Sequence, residues 1–276
     1  RELSVMLGSA RQTDGKRMYN CITLDEEHGC YWLTFDRPEK MNSFTQQMHK
    51  EVKQALERVV NDSQARVLVI AANGRGFCAG QDLSDPSVAP GADLGELIGD
   101  FYNPMILQIT ELPIPTLAKV QGVAAGAGAN IALACDLVFA GESASFIQAF
   151  SGIGLIPDSG GTWQLPRLVG MAKAMGLAML ATKVKAKEAA EMGMIWQCTA
   201  DVELDAAVNA AATRLTNSPT LGLARTKQAL RCSSNNTLAE QLTLEKQFQQ
   251  ELGNSNDYAE GVAAFSQKRQ PKFVGR

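Results

Sequence analysis

Three short stretches hold residues whose types and spacing suit chemistry. Gly76-Phe-Cys-Ala-Gly80-Gln81-Asp82 leaves an apolar run, Val67 to Ala71, through residues small enough to leave the N–H of Gln81 open. Gln121-Gly-Val-Ala-Ala-Gly-Ala-Gly128 follows a second apolar run, Pro115 to Val120, and opens a helix that offers the N–H of Ala127. Glycine costs a helix about 1 kcal/mol relative to alanine, so Gly126 and Gly128 at this start imply close approach of another backbone or a ligand. The first turn of a helix also carries unpaired N–H groups and partial positive charge. Two N–H donors from separate elements suit an oxygen that gains negative charge during a reaction, each preorganised donor contributing about 3 kcal/mol. The third stretch, Gly154-Leu-Ile-Pro-Asp158-Ser-Gly-Gly-Thr162, sets one carboxylate at a turn ahead of a helix. Asp158 serves there either as an acid–base group or as the N-cap of that helix, and the local sequence leaves both open.

A dinucleotide fingerprint does not fit the second stretch. Gly126 and Gly128 lack the third small residue at the required place, and no acidic strand end follows about 20 residues on. Only two histidines, His28 and His49, are present, which excludes a His-rich metal site and makes a histidine base unexpected. The cysteines (Cys21, Cys30, Cys78, Cys135, Cys198 and Cys232) form no CxxC pair and no metal spacing. They read as reduced, packed thiols of a cytoplasmic protein. A formal charge of −3 argues against a nucleic-acid footprint. No apolar run has the length of a membrane span.

The elements that must position these stretches follow from periodicity. Cys21–Leu24 and Cys30–Phe35 read as a hairpin. Ser43 or Thr45 caps an amphipathic helix running to Asn61. Val67–Ala71, apolar throughout, is a strand buried on both faces. Ser84–Gly91 reads as a mobile loop, and 92–111 as a helix kinked at Pro104. The small-residue run passes into a buried helix from Asn130, then a strand at Leu137–Ala140, and a further helix starts near Ser159. Strand signals stop after about Gln197. Four helices follow, at 204–217, 220–232, 238–251 and 258–269. Strand–helix alternation followed by an all-helical tail gives an α/β core at 19–203 and a helical region at 204–276. Residues 1–18, polar and without a secretory apolar core, read as a disordered extension.

Taken together and in order, five motifs resemble the crotonase (enoyl-CoA hydratase/isomerase) superfamily. They are Asp36-Arg-Pro-Glu-Lys-Met-Asn42, Gly76-Phe-Cys-Ala-Gly-Gln-Asp82, Gln121 to Gly128, Cys135-Asp136 and Gly154 to Thr162. The resemblance runs from about Tyr19 to the end of the chain. It implies a spiral of ββα units with a C-terminal helical trimerisation region, an acyl-CoA thioester as substrate, and no cofactor or metal beyond that coenzyme A. It implies an oxyanion hole at Gln81 and Ala127. It also places substrate contacts along the first oxyanion loop (Cys78, Ala79, Gly80, Asp82, Leu83) and beside the second (Gly126, Asn130, Phe150). For the coenzyme A handle it points to Arg37, and to Phe265 and Lys268 in the last helix. These last two often reach a neighbouring subunit's ligand in a homotrimer or hexamer.

The departures from the family's hydratases are informative. Those enzymes use two glutamates, whose positions fall at Asn130 and Phe150 here. Water addition without an acid–base pair forgoes about 10² to 10⁴ in rate per group, so the resemblance implies an isomerase with Asp158 as its acid–base residue. A dehalogenase branch would need a histidine after the first oxyanion loop, and neither histidine lies there. Further shared stretches, among them Phe101-Tyr-Asn-Pro104 and Gly193-Met-Ile-Trp-Gln197, point to a branch acting on aryl-derived acyl groups, with Phe101, Phe150 and Trp163 as candidate apolar walls. A general Δ3,Δ2-enoyl isomerase, a hydratase-like protein and a non-catalytic CoA-binding scaffold are the alternatives. The intact oxyanion glycines and Asp158 weigh against the scaffold.

Overall fold

A computed structural model describes residues 18–276, so the extension expected at 1–18 lies outside the described residues save for Met18. The expected hairpin forms from β1 (Ile22–Glu27) and β2 (Cys30–Phe35). It closes through His28 and Gly29, both at positive φ, the geometry that matches strand twist in a two-residue turn. Of the two candidate caps for α1 (Gln46–Asn61), Thr45 is the one used: its side chain accepts the Met48 N–H. α1 turns Met48, Val52, Ala55, Leu56 and Val59 inward. β3 (Val67–Ala72) lies between β2 and β4 (Thr116–Val120), parallel to both, and is buried at all six positions because Val67 and Val69 pack into one apolar cluster and Leu68 and Ile70 into another on the opposite face.

Two departures from the sequence expectation concern the stretch after β3. The segment 84–91 is not a plain loop: Asp85 accepts the Ser87 N–H and opens a 3₁₀ turn at Pro86–Val88. The expected kinked helix is α2 (Leu94–Leu97), a π-helical turn at Ile98–Tyr102, and α3 (Asn103–Glu111). Pro104 has no N–H to donate back into the preceding turn, and the helix widens there into the π-helical turn.

The spiral is visible in how consecutive strands part company. β4 lies in the large sheet, while β5 (Val123–Ala125) enters a small one before α4 (Ala127–Ala134). β6 (Leu137–Gly141) then returns to the large sheet, and β7 (Ser145–Ile147) goes to the small one before α5 (Gly161–Val169). α6 (Met171–Leu180), β8 (Val184–Lys185), α7 (Ala186–Glu191) and β9 (Gln197–Thr199) complete the core. The large sheet runs β1-β2-β3-β4-β6-β9 and the small one β5-β7-β8. Strands of two or three residues carry no readable period, which is why the small sheet and β9 do not show in the sequence.

The helical region comprises α8 (Leu204–Thr216), α9 (Thr220–Cys232), α10 (Leu238–Leu252) and α11 (Asn256–Ser266). α8 buries Leu204, Val208 and Ala212 against Val67, Val69, Leu117 and Phe139 of the large sheet. α9 docks through charge: Lys227 Nζ and Arg231 Nη2 each lie 2.9 Å from the Asp136 carboxylate, which also accepts the Thr116 N–H. Cys135-Asp136 is therefore a docking motif. Among the described residues no helix is long and apolar enough to cross a membrane, and no cluster of His, Cys, Asp and Glu could hold a metal ion.

Candidate active site

The loop after β3 makes a single extended bridge with a useful asymmetry. Gln81 pairs with Phe44, whose N–H donates to the Gly80 carbonyl (2.7 Å) and whose carbonyl accepts the Asp82 N–H (2.8 Å). In such a pairing the N–H of the intervening residue faces the opposite side of the strand. The Gln81 N–H therefore points away from Phe44 and meets no acceptor among the described residues.

The second donor sits beside it. α4 begins at Ala127, the helix start expected from its glycines and ahead of the apolar pattern that sets in at Asn130, and the Ala127 N–H is one of the helix's unpaired first-turn donors. Gly80 brings the two stretches together. A Cβ on Gly80 would lie 3.0 Å from the Ala125 carbonyl and 3.5 Å from the Ala127 nitrogen, so the chain passes α4 at a distance only glycine permits comfortably. The Phe150 ring lies across from Gly126, where a Cβ would meet its Cζ at 3.7 Å. An aromatic wall thus stands where the hydratases' second glutamate is expected.

Asp158 resolves its two sequence readings. It is not an N-cap: the chain turns through Ser159 and Gly160, both at positive φ, and α5 starts only at Gly161 without a side-chain cap. The turn is held by main-chain and amide bonds to the Asp158 carbonyl, from the Gly161 N–H and Asn130 Nδ2, both at 2.8 Å. The carboxylate receives one bond, from Ser159 Oγ at 2.8 Å. Burial raises its pKa above the usual carboxylate value, and the Ser159 hydroxyl offsets part of that rise. A half-buried carboxylate that caps nothing is a good candidate for proton transfer.

The remaining sequence-derived positions divide by what they touch. Asn130 is fully buried: besides Asp158 it binds Gln148, whose Nε2 donates to its Oδ1 at 2.8 Å. It therefore supports the Asp158 turn from behind. Cys78 is equally buried, its thiol donating to the Asn42 carbonyl, and burial pushes it up to about 12. Ala79 and Leu83 are exposed on the loop. Arg37 forms a largely buried pair with Asp82 (3.2 Å) and donates to the Ser43 carbonyl, so it pins the Gly80–Asp82 loop to the loop before α1. Asp82 is held below the usual carboxylate range by Ser84, with Arg37 adding to the effect. Phe265 is 87% exposed and Lys268 is also exposed. The tail following α11 is anchored by Arg66, which donates to the Phe273 carbonyl at 2.9 Å. Arg66 precedes β3, and the chain leaves the other end of that strand toward Gln81. Trp163 stacks under Arg167 at 4.0 Å and borders a cleft of about 800 Å³ between α3, α5 and α9. That cleft meets the Asp158 turn only at Gly160.

Sequence reasoning passed over a cluster behind Gln81. Its side-chain Oε1 accepts the Tyr102 hydroxyl at 2.9 Å and lies 3.3 Å from His49 Nε2. His49 is buried on α1, and its pKa falls to about 4 because burial disfavours the charged ring. The one signal was Pro104, whose effect on the preceding turn places Tyr102.

Comparison with known proteins follows the same lines. The family model described as enoyl-CoA hydratase/isomerase matches residues 25–276. A 1,2-epoxyphenylacetyl-CoA isomerase of Escherichia coli (strain K12) is 48% identical over 262 residues, covering 94% of this chain and all of that protein. A Rhodobacter capsulatus protein named as a probable enoyl-CoA hydratase is 46% identical over 258 residues, covering 94% of this chain and 99% of its own. The crystal structure of an enoyl-CoA hydratase from Bacillus anthracis superposes with a TM-score of 0.87 at 26% identity, over 93% of this chain and 100% of that one.

Proposed function

The chain belongs to the enoyl-CoA hydratase/isomerase family, and from that premise we propose that it rearranges 2-(1,2-epoxy-1,2-dihydrophenyl)acetyl-CoA to its oxepin isomer. What carries the reading is the half-buried, uncapped Asp158, with Asn130 and Phe150 at the positions where the family's hydratases have glutamates. The E. coli relative's name supplies the acyl group. The thioester oxygen sits between the N–H groups of Gln81 and Ala127. The bond between the two epoxide carbons opens to give the seven-membered ring, and Asp158 takes the proton α to the thioester and returns it at a ring carbon, so the product is an isomer and no atom is gained. Phe150 supplies an apolar wall and leaves no second carboxylate to activate water.

A small acyl-CoA panel tests this. Turnover is expected with the ring epoxide, with slower shift of a Δ3-enoyl thioester to Δ2. Hydration of crotonyl-CoA is expected to be at least ~10²-fold slower than isomerisation, because one acid–base group supplies that much or more. Hydration at a comparable rate would overturn the assignment of roles, and a faster Δ3-enoyl reaction would move the physiological acyl group to an aliphatic chain.

The helical region is proposed to close a homotrimer, alone or stacked as a hexamer. Leu230, Leu238, Leu242, Val262 and Phe265 are each at least half exposed in the single chain, and apolar exposure on this scale is a mark of interfaces. The anchoring of the tail at Arg66 favours a neighbour's coenzyme A as the ligand of Phe265 and Lys268. Deleting 257–276 should weaken assembly and coenzyme A affinity together. Sedimentation and CoA titration check this, and a compact, fully active monomer would refute it.

A further inference from the structure

Residue 81 is held from two sides, and only the backbone side is explained by strand pairing. On the other, the Gln81 amide oxygen receives the Tyr102 hydroxyl at 2.9 Å and faces His49 Nε2 at 3.3 Å. A carbonyl oxygen has two lone pairs, so both groups can donate to it. His49 then carries its proton on Nε2, and Nδ1 is left bare. That agrees with its burial without a partner and with a ring kept neutral down to about pH 4. The two donors come from unrelated elements, the first turns of α1 and the π-helical turn before α3. They meet edge to face at 4.4 Å, and Phe44, whose backbone brackets Gln81, packs against both rings at 4.8 and 6.0 Å.

The cluster is costly as mere core. Gln81 Nε2 and His49 Nδ1 are both buried without partners, although buried polar groups in folded proteins are nearly always paired. Aliphatic residues of similar volume would fill the same space without that penalty. The π-helical turn is itself a rare feature that recurs at functional sites. What the arrangement provides is direction. With main chain and side chain both fixed, the Gln81 peptide has little freedom to rotate, and its N–H stays aimed at the space it shares with the Ala127 N–H.

We infer that Tyr102 and His49 are positioning residues for the oxyanion donor at Gln81, acting through the Gln81 side-chain carbonyl. This rests on the oxyanion reading of Gln81 and Ala127 given above.

The test uses Tyr102→Phe, which removes one oxygen and keeps the ring, with His49→Leu and His49→Gln. Gln keeps a donor near the place of Nε2. The readouts are kcat and KM on the preferred acyl-CoA, the melting temperature, and the carbonyl stretch of bound phenylacetyl-CoA carrying ¹³C at the thioester. In Tyr102→Phe and His49→Leu, kcat should fall at least ~10-fold with KM within about threefold, since small displacements of a catalytic group cost that much or more. The bound carbonyl frequency should move back toward its value in water, and His49→Gln should recover part of the kcat lost in His49→Leu. If kcat stays within twofold, or falls while the carbonyl frequency stays at the wild-type value, the positioning role is wrong. A wild-type enzyme that leaves the carbonyl frequency unshifted on binding overturns the oxyanion reading itself, and with it this inference. Should His49→Leu not fold, Tyr102→Phe decides alone.

Discussion

Asp158→Asn is expected to lower kcat by at least ~10²-fold while leaving acyl-CoA affinity within a few-fold, the scale of losing a general base. The substitution is clean because what holds the turn does not involve the carboxylate. The Asp158 carbonyl keeps its bonds from the Gly161 N–H and Asn130, and an amide oxygen can still accept from Ser159 Oγ. The wild-type profile should also show its acid limb above the ordinary carboxylate range, because burial raises the Asp158 pKa, and the residual rate of the variant should lack it. Stability moves in the opposite direction to activity. A carboxyl raised on folding contributes stability below its unfolded value, and that contribution is lost as the pH rises through the folded value. At pH 7 the ionised form therefore weighs against the native state, and an amide does not. Thermal melts should find Asp158→Asn at least as stable as wild type at pH 7. Near-wild-type turnover in this variant would return Asp158 to a structural role.

The parts of this molecule that the sequence discloses are those with a long period or a strong chemical reason. Val67–Ala71 reads as a doubly covered strand, and it is one, because five consecutive apolar residues have no polar face to offer water. The helices from Leu204 onward read within a few residues of their ends because amphipathic repeats of 11 to 15 residues average out local noise. β5, β7 and β8 do not read at all: a three-residue strand such as Val-Ala-Ala is fixed by its partner, Ser145–Ile147, and not by its own pattern. The start of α4 shows in its glycines and not in its apolar period, which sets in only at Asn130. α4 begins at Ala127 because Gly126 takes a backbone conformation closed to other residues (φ 55°, ψ −128°), and composition alone cannot say which glycine of a run does so.

The site divides in the same way. Gln81 and Ala127 could be proposed from sequence because backbone donors depend on turns and glycines, which leave a signature. Asp158 was visible as a residue and ambiguous as a role. Ser159 and Gly160 in left-handed conformations remove the capping reading, because they separate the carboxylate from the helix it would otherwise cap. Tyr102 and His49 were passed over because a lone buried tyrosine or histidine most often serves the core, and 53 positions separate them in the chain. Only the fold shows that both reach one amide oxygen.

Gly128→Ala should be damaging, although intrinsic propensity favours it by about 1 kcal/mol in a helix. The added Cβ would lie 2.4 Å from the Cys78 carbonyl oxygen and 2.7 Å from its Cβ and Sγ. That carbonyl cannot move aside, since it accepts the Ala125 N–H at 2.9 Å while the Cys78 N–H donates to Val123. The first turn of α4 must lift off the strand instead, and it carries the Ala127 N–H away from that of Gln81. Overpacking of this kind costs about 1–3 kcal/mol, and an oxyanion donor moved out of place costs about 10²–10³ in kcat. Gly176 in α6 is the control. A Cβ there meets nothing within 4 Å, so Gly176→Ala should raise stability by up to about 1 kcal/mol with unchanged turnover. Steady-state kinetics and thermal melts of the two variants separate the explanations. If Gly128→Ala behaves like Gly176→Ala, close packing of α4 on the Cys78 strand is not what brings the two N–H groups together.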